Sequence, residues 1–268
     1  MNRDASPSPS YDAIPDFGTL YDAIPLYTAR TDVAFYVEEA RATKGPTLEL
    51  GCGSGRVLLP IARAGTDIVG LDGSHEMLAR CTAKLGAEPA NVRQRATLHF
   101  GDVRDFDLGR TFPLAIAPFR VVQQLPTIDE QLQFLAAVRR HLEPNGRFVF
   151  DVFNPSFAKL VGRSTDEAED TPPQTLADGR VFRRTFRVSR VRWTEQVSET
   201  ELIYYVSPKA GAPAVRHVQA FEMRWYLRAE LLHLLARSGF RVDVIHGNFD
   251  RSPLTDTSPE QVVCATRL

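Results

Sequence analysis

A chain of 268 residues with a formal net charge of −1 and 43% hydrophobic residues is long enough for one large domain, or for one domain carrying a substantial insertion. The balanced charge gives no global pull towards nucleic acid or an anionic membrane, no apolar run approaches membrane-spanning length, and the N-terminus lacks the apolar core of a signal peptide. The three cysteines, Cys52, Cys81 and Cys264, are far apart and form no Cys/His cluster, so neither a metal centre nor a disulfide framework is expected and a reducing cytoplasm is the natural setting.

Residues 1–10 are rich in Ser, Pro and Asp, and residues 1–20 are expected to form a disordered tail. The pentapeptide YDAIP occurs twice, at 11–15 and 21–25. The second copy leads into a helix-like stretch, 32–42, and reads as the working copy; the first reads as a chance duplication or a spare docking segment. An apolar strand, 47–50, then runs into Gly51, Gly53 and Gly55, followed by a helical pattern with Val57, Leu58, Ile61 and Ala62 on one face. Glycines permit positive φ and close approach of a ligand to bare backbone. The free N–H groups of a helix start favour a negatively charged ligand group. A plain strand-to-helix turn is the competing reading, and a dinucleotide fingerprint, G-x-G-x-x-G, would need its third glycine where Arg56 stands.

The second strand, 67–71, ends at Asp72, about 20 positions beyond the first glycine, where a carboxylate suits the vicinal hydroxyls of a ribose. Ser74 reads as the cap of the next helix, opened by Met77 and Leu78. A third strand, 97–100, ends in Gly101-Asp102-Val103; a lone GD pair reads as a turn. The fourth, 112–119, is continuously apolar, as in a parallel sheet covered on both faces, and runs into Arg120, Gln123 and Gln124. An amphipathic helix, 127–142, has a capping box at Thr127 and Glu130 and a stop at Pro144-Asn145-Gly146. It leads to a fifth strand, 147–153. Residues 154–173 read as a loop. Residues 180–206 and 215–227 read as three or more antiparallel strands. Nine Lys/Arg against five Asp/Glu between residues 171 and 226 favour a solvated strand face over an RNA- or anion-binding one. A helix, 228–238, and two strands, 240–245 and 261–266, close the pattern.

The run Glu49-Leu50-Gly51-Cys52-Gly53-Ser54-Gly55 resembles the first motif of class I S-adenosylmethionine (SAM) methyltransferases, E/D-x-G-x-G-x-G, with all four places filled. The stretch GLDGSHEML is similar to the second motif, with Gly73 where the family more often has an apolar residue. LEPNGRFVFDVFNP, LLARSGF and IHGNF match later elements. The resemblance runs from residue 21 to the C-terminus. It implies an α/β fold: a Rossmann-like, doubly wound, mixed seven-stranded sheet with an antiparallel β insertion between strand 5 and the last helix. The implied divisions are a core with an N-terminal helical cover (21–153), the loop and insertion (154–226), and a C-terminal helix with the last two strands (227–268).

The resemblance also implies a function: transfer of a methyl group from SAM to O or N of a small-molecule acceptor, with S-adenosyl-L-homocysteine (SAH) as product. Glu49, Gly51, Cys52, Gly53 and Gly55 would form the methionine end of the site, with Asp72, Gly73 and Met77 around the ribose. Asp102 would accept from the adenine amino group while the Val103 N–H meets a ring nitrogen, and Phe119 would face the methyl group. Substrate-pocket candidates are Tyr21, Tyr27, Arg30 and Tyr36 from the cover, Arg120 and Gln123 after the fourth strand, and Trp193 and Trp225 from the insertion. No Ser/His/Asp series or paired-carboxylate motif stands out, which leaves His217 and His246 as base candidates. A membrane or nucleic-acid partner is not expected. An RNA methyltransferase, a NAD-dependent oxidoreductase and a non-catalytic SAM-binding module stay open as alternatives.

Overall fold

The computed structural model describes residue 11, residues 14–161 and residues 165–268; the expected tail over residues 1–10 lies outside them. The chain opens with α1 (Phe17–Asp22), α2 (Pro25–Thr28) and α3 (Asp32–Thr43), then alternates β1 (Thr47–Leu50), α4 (Leu58–Arg63), β2 (Ile68–Asp72), α5 (His75–Gly86), the short α6 (Ala90–Arg93) and β3 (Ala96–Phe100). β4 (Phe112–Ala117), α7 (Ile128–His141) and β5 (Leu142–Phe153) follow. After α8 (Phe157–Val161) come β6 (Ala168–Thr175), β7 (Val181–Arg192), β8 (Val197–Ser207) and β9 (Val215–Arg224), then α9 (Arg228–Arg237), β10 (Phe240–His246) and β11 (Glu260–Arg267).

The apolar runs do what their pattern demands. β1, β2 and β4 are buried along nearly their whole length, as strands covered by helices on both faces must be. Seven strands form one sheet in the order β10-β11-β5-β4-β1-β2-β3. β1 to β5 run parallel, while β11 lies antiparallel between β5 and β10. This is the expected mixed sheet. Its chain order reverses beside β1, so the C-terminal ends of β1 and β4 open a crevice. β3 is the outer edge, and Phe100 at its end is 56% exposed and stacked on His75. The Thr127–Glu130 capping box and the Ser74 cap both form. β5 starts directly after α7 and takes in the expected Pro144-Asn145-Gly146 stop, whose tight path shows in Asn145 at φ 62°.

Two expectations are corrected. The tail assignment fails for residues 14–20: Ile14, Phe17 and Leu20 are buried with Ile24, Met77, Phe182 and Tyr204. Ile14 of the first YDAIP copy therefore packs in the fold rather than standing spare, because the isoleucines of both copies fill one apolar cluster. The loop expected over 154–173 contains α8 and the start of β6. The polar, proline-bearing sequence of β6 hid it from pattern reading; such a strand is tolerated at the edge of a four-stranded sheet, β6-β7-β8-β9, with register shifts where it leaves the ladder. On the outer face of this sheet, arginines pair across strands with carboxylates, as Arg187 does with Glu201 and Arg192 with Glu199 and Glu222. The basic excess of the insertion is largely spent there.

Buried glutamines join the second sheet to the first. Gln123 donates from Nε2 to the Arg224 carbonyl (2.7 Å) and accepts the Phe153 N–H at Oε1 (2.9 Å). Gln261 donates to the Tyr226 carbonyl (2.9 Å). Replacing Gln123 with Leu leaves two buried backbone groups unmet, each worth roughly 1–3 kcal/mol. We expect urea unfolding of the Gln123→Leu protein to show a loss of about 2–6 kcal/mol; an unchanged midpoint would contradict this role.

Candidate functional site

Gly51 adopts φ 70°, and a Cβ there would stand 2.5 Å from a Val121 methyl. Gly53 adopts φ 53°, with Met77 Cε 3.2 Å from where its Cβ would lie. Both positions need a bare backbone. Asp72 at the end of β2 accepts the Gly53 N–H at Oδ2 (2.7 Å) and the Ser74 N–H at Oδ1 (2.9 Å), which fixes the turn against the neighbouring strand end. These residues open onto a cavity of about 1350 Å³. That exceeds the ~300–1,000 Å³ of a typical single-ligand site, so there is room for two reactants side by side.

Four parts of the chain wall this space. The strand ends contribute Glu49, Gly51, Gly53, Asp72, Asp102 and Val103. The N-terminal cover contributes Tyr11, packed on Phe17, and Tyr21 and Tyr27, whose rings pack on one another and on Phe119, with centroids 4.7 Å apart for Tyr21–Tyr27 and 4.8 Å for Tyr27–Phe119. The loop before β11 brings Ser258, and the first residue of that strand brings Glu260. The insertion turns one face inwards: Arg184 and Phe186 on β7, Ser198, Thr200 and Leu202 on β8, and Gln219, Phe221 and Met223 on β9. Their spacing by two is the strand period. Asp22 of the second YDAIP copy clamps the cover down, accepting from Ser54 (2.6 Å), Arg80 (2.8 Å) and Lys84 (3.1 Å).

Below the cavity floor lies a lattice of buried charges. Arg56 makes a two-pronged pair with Asp32, both contacts 2.7 Å. Arg30 reaches Asp32 (3.2 Å), Asp151 (3.4 Å) and Glu260 (3.3 Å). Arg120 reaches the same oxygen of Glu260 (3.1 Å). Asp151 Oδ1 accepts the Tyr36 hydroxyl (2.7 Å) and the Phe119 N–H (2.8 Å). Phe119 and Arg120 sit consecutively at φ 59° and 67°, a conformation side chains rarely adopt and that surroundings must enforce. Asp151 and the guanidinium of Arg30, 4.8 Å from the Phe119 ring, supply that enforcement. Burial alone would raise the Asp32 carboxyl, but its two arginines outweigh that and hold it below the usual carboxylate range. Asp151 is raised, because burial wins over Arg30. Glu49 is driven well up by burial, and its Oε2 has no hydrogen-bond partner.

Of the residues expected from sequence, the cavity wall brings together Glu49, Gly51, Cys52, Gly53, Asp72, Gly73, Met77, Asp102, Val103 and Phe119, with Tyr21, Tyr27, Arg30 and Arg120. The others stand elsewhere. Gly55 (φ 82°) faces Cys81 and Leu59 inside the fold. Tyr36 is wholly buried behind the wall and acts on Asp151. Gln123 is spent on backbone, and Gln124 lines the cavity instead. Trp225 is packed between Phe157 and Trp193, and Trp193 is 45% exposed. Neither His217 nor His246 lines the cavity, so both base candidates are withdrawn. Asp102 is held by Arg104, through both carboxylate oxygens and the Arg104 N–H. Sequence reasoning missed Arg56, Glu260, Tyr11 and the insertion face. The doubled YDAIP signalled Tyr11, and the alternation through 198–202 signalled β8; nothing local signalled Glu260.

Residues 47–146 match the family model described as "Methyltransferase domain". The chain is 28% identical over 245 residues to a dTDP-3-amino-3,4,6-trideoxy-alpha-D-glucopyranose N,N-dimethyltransferase of Streptomyces venezuelae, covering 87% of this chain and 93% of that protein. Its fold is similar to the CcbJ methyltransferase of Streptomyces caelestis, with TM-score 0.74, 23% identity and coverage of 97% and 98% of the two chains. It is also similar to SAM-bound CalS10, an amino pentose methyltransferase of Micromonospora echinaspora, with TM-score 0.67, 24% identity and coverage of 93% and 97%.

The charge lattice sets a stability test. Asp32→Ala strands the Arg56 guanidinium and takes one of three carboxylates from Arg30, which for a broken buried pair costs about 3–5 kcal/mol. Because the Asp32 carboxyl is depressed in the folded state, its contribution is complete above the unfolded value of about 3.9 and is lost as pH falls through the folded value. Unfolding curves of the two proteins should differ by that amount at neutral pH and converge below about pH 4; equal stability at neutral pH would contradict the lattice.

Proposed function

Residues 47–146 of this chain are a methyltransferase domain and its sheet is that of the class I, SAM-dependent enzymes, and from this we propose that it methylates a nitrogen of a small-molecule acceptor. Bound SAM supplies an activated methyl group on a sulfonium. The residues present fit it. The unpartnered Glu49 Oε2 suits the ammonium at the methionine end, and the bare backbone at Gly51 and Gly53 admits close approach. Asp72 suits the ribose hydroxyls, and Asp102, once Arg104 yields, the adenine amino group. We assign Cys52, Gly73, Met77 and Val103 to the same subsite, and the insertion, within 154–226, to the acceptor side.

The work left to the chain is alignment and exclusion of water, which together can lower a barrier by several kcal/mol. Tyr21, Tyr27 and Phe119 close the cover side with packed rings. Asp151 and Arg30 hold the Phe119–Arg120 backbone rigid. A neutral amine attacks through a lone pair it already carries, whereas a hydroxyl must shed its proton early. Among the described residues no histidine lines the cavity to take one. The Streptomyces venezuelae relative, named as an N,N-dimethyltransferase, supports nitrogen as well. The observation that carries the reading is the convergence of the glycine turn and the acidic ends of three neighbouring strands on one cavity.

Calorimetry with SAH tests it. Binding should be weakened at least tenfold by Asp72→Ala; absence of binding to the unaltered protein would overturn the reading. The raised carboxyl of Glu49 predicts proton release, since an ammonium beside it favours the ionised form. Affinity should therefore rise with pH through the range where free Glu49 is still protonated. The binding heat should depend on the ionisation enthalpy of the buffer in the unaltered protein and not in Glu49→Gln. A buffer-independent heat in both would contradict the assignment.

A further inference from the structure

We infer that the acceptor enters this cavity as a small organic cation, an alkyl amine carrying no phosphate, that the Glu260 carboxylate holds it, and that one ammonium proton passes to that carboxylate, which frees the lone pair that attacks the methyl group. The inference rests on the methyl-transfer reading and narrows its acceptor.

The first observation is the charge of the wall. Among the described residues the cavity wall carries no lysine or histidine, and its five arginines face six carboxylates besides the raised Glu49 and Glu222, which Arg192 holds on the outer side of the sheet. Each of those arginines is already committed to a carboxylate: Arg30 and Arg120 to Glu260, Arg56 to Asp32, Arg104 to Asp102 and Glu130, and Arg184 to Asp170. A diphosphate-linked acceptor would bring further negative charge into this wall and find no uncommitted guanidinium fork to receive it. A cation would meet the opposite field.

The second observation is a place for that cation. Glu260 is the first residue of β11, which runs antiparallel to β5 and so begins opposite Phe153 at that strand's C-terminal end. The residue is 6% exposed and lines the cavity. Its Oε1 is pinned by Arg30 and Arg120, which fixes the plane of the carboxylate, while its Oε2 is buried and has no hydrogen-bond partner. A buried, unmet carboxylate oxygen is costly unless something donates to it, and an ammonium is the strongest donor available to a small acceptor. Arg120 Nε is also buried and unmet; a single N–H beside the committed Nη2 suits a hydroxyl or ether oxygen on the same ligand. From the insertion, Gln219 brings a third unmet atom, Oε1, opposite Leu202 on the inward face, with Phe221 and Met223 for the apolar body. Glu260 Oε2 and Arg120 Nε, on side chains paired to one another, describe a hydroxylated or ether-bearing amine.

Two probes separate the outcomes on SAH-saturated protein: cyclohexylammonium chloride and dTDP, each titrated in a calorimeter at millimolar concentration. Cyclohexylammonium should bind saturably, Glu260→Gln should weaken it at least fivefold, and Glu260→Asp should fall between. SAH affinity and thermal midpoint, measured on the same variants, report whether the fold and the nucleoside site persist. dTDP should show no saturable binding. Saturable dTDP binding, no binding of the amine to the unaltered protein, or equal amine affinity in Glu260→Gln would each overturn the inference. Failure of the unaltered protein to bind SAH would instead strike the methyl-transfer reading, and the acceptor assignment with it.

Discussion

The site depends on a pair of buried carboxylates, Asp32 and Asp151, held between arginines from distant parts of the chain. Asp32 belongs to the helix that follows the cover, Arg56 to the glycine turn, Asp151 to β5, and Glu260 to β11. Charges taken out of water are tolerated only when each finds its partners. That requirement draws four separate segments together at the C-terminal end of the sheet. The same lattice bears the Phe119–Arg120 backbone, whose paired left-handed residues no local preference would produce. The cavity floor is thus set by charge pairing, and its ceiling by aromatic packing of the cover.

The cover and the insertion are locked to one another as well as to the core. Arg184 of β7 is almost wholly buried; it pairs with Asp170 on β6 and donates to the Tyr27 hydroxyl (2.6 Å). Tyr204 of β8 meets Phe17 edge to face. With Gln123 and Gln261 stapling the base of the second sheet to the first, the walls that would select an acceptor are fastened at several points. A wall so fastened loses little conformational freedom when a ligand enters, which favours selection by shape and charge.

What could be read in the sequence was whatever repeats locally. Glycine spacing, the period of buried strands and the capping box need only a few neighbouring residues, and the core sheet with Glu49, Asp72 and Asp102 at its strand ends followed from them. The antiparallel insertion was legible through β-rich composition, although its polar first strand was not. Arg56 and Glu260 were illegible for a physical reason: their partners lie 24 residues away in the first case and 230 in the second. Tyr36, Gln123 and Trp225 were recognised as special but misplaced, because a large or polar side chain near a site can as well brace it from behind. His217 and His246 drew attention as titratable groups; His217 shares the inward face of β9 with Gln219 but stands beyond the cavity wall, and His246 does not line it either.

The central claim is that one preformed cleft, floored by the buried charge lattice, receives an adenosyl ligand across three neighbouring strand ends. A crystal structure of the protein with SAH tests this most directly. The account predicts the ribose at Asp72, the adenine at Asp102 with Arg104 displaced, and the Arg56–Asp32 and Arg30–Asp151 pairs unchanged. A ligand lodged away from the ends of β1, β2 and β3, or a lattice rearranged to admit it, would contradict the account.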